Sequence, residues 1–189
     1  ISGEGHTPQT IRNLVNIMAA HESQLAKAIR IDRNRMNRYC RTVDPKFLEG
    51  VNRKKPRTME ELEDLWYQTQ NADGNRYTHY NSSRYRVCNL HSFFHGHHTI
   101  EFRLFQFDCP HDGKQNGMHA GQVKSFIQLC LAINQLAKMV RTASPKPQQT
   151  ENEKYAMRCW MLRLGFIGDE FKTAREYYLN NMEGNSAWR

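Results

Sequence analysis

Arg84-Tyr85-Arg86-Val87-Cys88-Asn89-Leu90 and Thr99-Ile100-Glu101-Phe102-Arg103-Leu104-Phe105 both alternate in side-chain character, and His95-Gly96-His97-His98 lies between them. A period of two marks a half-buried strand, and a short polar stretch between two such runs marks a turn. The pair therefore predicts an antiparallel hairpin. On its second strand Ile100, Phe102 and Leu104 face one way, and Thr99, Glu101, Arg103 and Phe105 face the other. Glu101 and Arg103, two residues apart, then project side by side from one face.

Outward from the hairpin the chain reads as helical. Thr7 suits a helix N-cap and Pro8 the first helical position, where a missing N–H costs nothing. Ile11, Leu14, Val15, Met18, Leu25, Ala28 and Ile29 follow at helical spacing. Asp44-Pro45 starts a short helix through Phe47 and Leu48, with Gly50 and the basic run Arg53 to Arg57 read as a loop. Thr58-Met59-Glu60-Glu61 is a capping-box pattern ahead of Leu62, Leu65 and Trp66. Residues 71–83 are polar and read as a long loop. Beyond the hairpin, 106–118 reads as a loop and 120–140 as a helix with Val123, Phe126, Ile127, Cys130, Ile133, Leu136, Ala137 and Val140 inward. Ser144-Pro145-Lys146-Pro147 is an extended linker. Thr150 is the expected cap of a helix through Leu164, and Glu170 to about Asn181 forms the last one.

Composition narrows the function. The 189 residues carry 27 Lys and Arg against 19 Asp and Glu, a net charge of +8. Nucleic acid is the first partner such a balance suggests, through Arg30 to Arg41 and Arg53 to Arg57; a basic solvated surface is the plainer reading. No run of about 18 apolar residues occurs, which excludes a membrane-spanning helix. Nine Phe, eight Tyr and three Trp exclude wholesale disorder. Five scattered cysteines with no CxxC argue against a disulfide framework and for a reducing, cytoplasmic setting. The chain has no phosphate-binding P-loop, no dinucleotide glycine fingerprint and no serine-hydrolase elbow.

Glu101 and Arg103 are the strongest site candidates. A carboxylate can hold Mg²⁺ as a hard oxygen ligand. A guanidinium beside it can grip phosphate oxygens in a fork. Together they are equipped for phosphoryl transfer. The plainer alternative is a cross-strand charge network on a wet sheet face. His91, His95, His97 and His98 read as a solvated turn rather than a metal site, and Cys109, His111 and Asp112 lack the further ligands a metal needs. Cys88 and Cys130 read as small core residues.

The stretch from Arg84 to Ser92, with Gly96 to Phe105, resembles the amidoligase family, in the carboxylate–amine ligase branch of the glutamine synthetase-like superfamily. The helix from Thr7 to Ile29, Asn37-Arg38-Tyr39-Cys40 and Ala120-Gly121-Gln122-Val123-Lys124 also fit. Gly168 to Arg175 and Glu183 to Arg189 resemble the C-terminal end of one bacterial subgroup. The resemblance implies an α+β fold: part of an antiparallel glutamine synthetase-like sheet with helices packed behind it and a helical C-terminal third. It implies a ligase portion over 1–143, a linker over 144–150 and a helical extension over 151–189. It also implies ATP-dependent amide formation, in which a carboxylate is activated as an acyl phosphate and then attacked by an amine. Carried onto this chain, Glu101 is the metal ligand, Arg103 a phosphate contact, Arg84 a phosphate or substrate contact, and Asn89 part of the site geometry. The expected cofactors are ATP and Mg²⁺.

The family usually begins with a strand carrying G-x-E-x-E, followed by a central strand carrying H-x-H, and neither lies in these residues. The chain is therefore expected to be the C-terminal part of a ligase, inactive without its N-terminal strands. It is expected to associate with that N-terminal segment or with itself through an open sheet edge. The alternatives are a basic nucleic-acid-binding module, and a degenerate ligase fold used for protein–protein contact.

Overall fold

The computed structural model describes residues 1–69, 75–107 and 119–187. It is an α+β structure. Helices α1 (Pro8–Ala28), α2 (Arg33–Tyr39), α3 (Pro45–Lys54) and α4 (Met59–Thr69) precede a small sheet. Strands β1 (Cys88–Asn89) and β2 (Glu101–Phe102) flank the one-turn α5 (His91–Phe94). Helices α6 (Ala120–Met139), α7 (Glu153–Arg163) and α8 (Lys172–Asn180) follow. No helix among the described residues is long and apolar enough to cross a membrane.

Helix α1 starts as its sequence dictates. The Thr7 hydroxyl accepts from Thr10 N–H and the Thr10 hydroxyl accepts from Thr7 N–H, with Pro8 at the first position. Its buried stripe includes two asparagines that the apolar pattern does not reveal. Asn13 donates to the carbonyls of Ala137 and Val140, and Asn16 to that of Ala143. These are carbonyls at and beyond the C-terminal end of α6, which lack partners within that helix. The two amides thereby fix α6 against α1.

Three helices depart from expectation. Helix α3 runs through Gly50 to Lys54, and a Cβ at Gly50 would sit 2.9 Å from Leu65 Cδ1. The glycine is there for close packing against α4, and it does not end the helix. Helix α7 is capped by the Asn152 side chain, which accepts from Tyr155 N–H, instead of by Thr150. On α6, Phe126, Ile133 and Ala137 are buried as expected, but Ile127 is 55 % exposed. The buried stripe is rotated toward Gln122, Ser125 and Leu129 because α8 supplies polar partners. Gln122 donates to Tyr177 Oη at 2.8 Å, and Tyr178 Oη donates to the Ser125 carbonyl at 3.0 Å.

The expected hairpin is present but shorter. Cys88 opposes Phe102 and Asn89 opposes Glu101 in antiparallel register. Arg84 lies in a 3₁₀ turn, Ser82–Arg84, and not in the strand. The connection holds α5 because Phe93 is buried there, leaving Gly96, His97 and His98 as the exposed turn. Two further chain segments widen the sheet. Ser2 bridges Thr99 in antiparallel fashion, and Arg41 bridges Arg86 in parallel. The strip therefore runs 1–3, then β2, β1 and Arg41, with Gly3 N–H donating to His98 O and Val87 N–H to Arg41 O.

Candidate active site on the sheet face

The strand phase is as the alternation predicts. Ile100 and Leu104 are buried and Phe102 packs, half-buried, against the core. Glu101 and Arg103 point from the opposite face, together with Asn89 of the neighbouring strand.

These three side chains form one cluster. Arg103 Nη1 donates to Glu101 Oε1 at 2.9 Å, and Asn89 Nδ2 donates to Glu101 Oε2 at 2.6 Å. Asn89 Oδ1 in turn accepts from His91 N–H at 2.8 Å. An amide serves there because one end must donate and the other accept. Arg103 is fixed from two further directions. Its Nε donates to the Tyr39 carbonyl at 3.0 Å, and its guanidinium lies 5.4 Å from the Tyr85 ring centre. Arg35 pins the backbone beneath, its Nη2 donating to the carbonyls of Arg103 at 3.1 Å and Phe105 at 2.9 Å. Burial raises the pKa of the neighbouring Cys40 thiol, and Arg35 and Arg103 partly oppose that rise.

Arg84 stands apart from this cluster. Its Nη1 donates to the His79 carbonyl at 3.0 Å and its guanidinium covers the Tyr80 ring. Cys109, His111 and Asp112 lie outside the described residues. The chain belongs to the amidoligase family. A family model described as "Putative amidoligase enzyme" matches residues 1–134, which include the whole sheet and its cluster. No curated protein and no solved structure matches the chain.

Several residues beside this amidoligase cluster escaped the sequence reading. Tyr39 and Arg35 belong to α2, a seven-residue helix that fully buries no residue, so periodicity does not mark it. Its one local signal is Asp32, whose carboxylate accepts from Arg35 N–H as an N-cap. His97 and His98 lie in the exposed turn as expected, but His91 and His95 are engaged elsewhere. His91 is buried, with Nε2 donating to the Thr78 carbonyl at 3.0 Å. A carbonyl only accepts, so the proton sits on Nε2 and Nδ1 accepts from Tyr67 Oη at 2.6 Å. Burial lowers the pKa of His91 and raises that of Tyr67. His95 Nε2 meets Glu63 Oε1 at 2.7 Å. Among the described residues no group of three His, Cys, Asp or Glu side chains converges to hold a metal.

Proposed function

We propose that this amidoligase is an ATP-dependent carboxylate–amine ligase that forms an amide through an acyl phosphate. One observation carries the reading: Glu101 and Arg103 stand side by side on one face of the sheet, each held by partners from other segments. We assign the strip of chain segments to a glutamine synthetase-like platform, with this face as its working side.

The residues suit Mg²⁺–ATP in a limited but definite way. Mg²⁺ is commonly held by one or two carboxylates together with substrate phosphates and water. Glu101 offers one such carboxylate, its side chain 42 % exposed and so within reach of a ligand. Bound Mg²⁺–ATP supplies the phosphoryl group to a substrate carboxylate oxygen, with release of ADP. Arg103, whose Nη1 donates to Glu101 and whose Nε donates to the Tyr39 carbonyl, would meet phosphate oxygens through the rest of its guanidinium and stabilise charge that builds as that group moves. Its two protein anchors keep the fork in place, so little ordering remains to be done when substrate arrives. The amine nitrogen then attacks the acyl carbon, loses a proton, and phosphate departs with the former carboxylate oxygen. Asn89 holds Glu101 in position throughout. The phosphate role for Arg84 rests on the resemblance alone, because its guanidinium is engaged with His79 and Tyr80.

The test is amine- and carboxylate-dependent release of ADP and phosphate by the full-length protein. Glu101→Gln keeps volume but removes the charged ligand, so Mg²⁺ dependence is expected to shift to higher concentration and turnover to fall at least tenfold. Retention of full turnover in both Glu101→Gln and Arg103→Lys would reduce the cluster to a surface charge network.

A further inference from the structure

Two segments beside the Glu101–Arg103 cluster are rich in arginine. Residues 33–43 and 75–100 contain seven arginines and not one Asp or Glu. The two segments are joined through the backbone, since Arg41 N–H donates to Tyr85 O and Val87 N–H donates to Arg41 O. Some of these arginines are committed. Arg86 pairs with Asp44, Arg76 with Asp64 and Glu63, and Arg35 with backbone carbonyls. Arg38, Arg41 and Arg84 are not paired with any described carboxylate. Arg38 lies over the Tyr39 ring, Arg41 Nη2 reaches the Ser82 carbonyl at 3.5 Å, and Arg84 covers the Tyr80 ring. Arg38 and Arg41 are exposed and Arg84 is half-buried.

These groups form a strip that ends at the site. Arg38 covers Tyr39, Tyr39 packs edge-on against Tyr85, and Tyr85 carries Arg103. From Arg41 the strip continues through Ser82 to Arg84 and Tyr80. We propose that this strip docks an acidic polypeptide segment and delivers one of its carboxylates to Glu101 and Arg103. The proposal rests on the ligase reading above and names its carboxylate substrate. Guanidinium forks match carboxylates in geometry as well as charge. An acidic segment supplies both the anchoring anions and the group that reacts. The ligase reading favours a polypeptide over single-stranded nucleic acid, because one of the docked anions must itself be the carboxylate that reacts and nucleic acid carries none; base stacking on the exposed Tyr39 and Tyr80 is the competing outcome of the test.

The experiment measures fluorescence anisotropy of a fluorescein-labelled octaglutamate peptide with the full-length protein, beside an octaglutamine control. Octaglutamate is expected to bind, more weakly as salt rises, while octaglutamine does not. Arg38→Glu/Arg41→Glu is expected to lose at least tenfold in affinity, and Arg38→Gln/Arg41→Gln about threefold, with unchanged thermal midpoints and unchanged Mg²⁺–ATP binding. The neutral pair keeps the test decisive if charge reversal disturbs folding. Equal binding by wild type and both variants overturns the proposal, as does equal binding of the two peptides. Displacement of octaglutamate by a tighter-binding single-stranded oligonucleotide also overturns it and makes the strip a nucleic-acid surface. Failure of the ligase reading is distinguishable, because octaglutamate would still bind while no carboxylate elicits release of ADP.

Discussion

Glu22 offers a sharp test of how the helices hold the sheet from behind. Its Oε2 accepts from Val43 N–H at 2.8 Å, beside Arg86, which is itself tied to Asp44 and to the Thr42 carbonyl. Burial raises the Glu22 carboxyl from 4.5 to about 7, although the Val43 N–H and Arg86 both favour the charged form. Below the unfolded value the group is protonated in both states and contributes nothing to pH dependence. Between 4.5 and about 7 the unfolded chain releases its proton while the folded chain retains it, so stability falls as pH rises; above about 7 the loss is complete. At about 1.4 kcal/mol per tenfold change, the full loss is roughly 3 kcal/mol. Glu22 also lines an open cleft with Arg33 and Asn37, so solvent relieves part of the penalty and roughly 1–3 kcal/mol is expected. Glu22→Gln keeps an oxygen for Val43 N–H and removes the charge. Urea unfolding at a series of pH values should show equal stabilities near pH 4 and a variant that is more stable by that amount at pH 8. Parallel curves across the whole range, or a variant less stable at pH 8, would refute the assignment of burial as the dominant effect.

Further outcomes follow from the same geometry. Arg103→Lys is expected to lower kcat more than it weakens ATP binding, because lysine keeps the charge but loses the fork; steady-state kinetics alongside nucleotide titration separate the two. Phe102→Ala should lower unfolding free energy by about 2 kcal/mol, less than a fully buried Phe, since the residue is only partly buried against the core; denaturant titration reads this directly. Gly3→Ala places a Cβ 2.4 Å from Phe93 Cδ2 and 2.8 Å from the His98 carbonyl, so the outer segment of the sheet must shift. A loss of about 1–3 kcal/mol is expected, and an unchanged melting midpoint would show that Phe93 yields freely.

Much of this architecture is written in short-range pattern. The Thr7-Pro8 start of α1, the Asp44 cap of α3 and the Thr58–Glu61 box ahead of α4 are all contacts within four residues. So is the strand phase that puts Glu101 beside Arg103 on one face, because successive side chains of a strand must point opposite ways. A sequence displays such relations directly, and the same stretch carries the family resemblance. What surrounds the cluster is decided by the tertiary structure. The Tyr39 carbonyl that receives Arg103, the Arg35 clamp, the Asn13 and Asn16 amides that hold the end of α6, and the Tyr67–His91 contact join residues 24 to 127 positions apart. Backbone carbonyls are the same in every residue, so nothing in the sequence says which one a buried donor will find. The rotation of the inward face of α6 toward Gln122 and Ser125 has the same cause. Its polar residues turn inside only because Tyr177 and Tyr178 arrive from α8 to hydrogen-bond with that face, and a partner so distant in the chain leaves no mark on the helix's own apolar pattern.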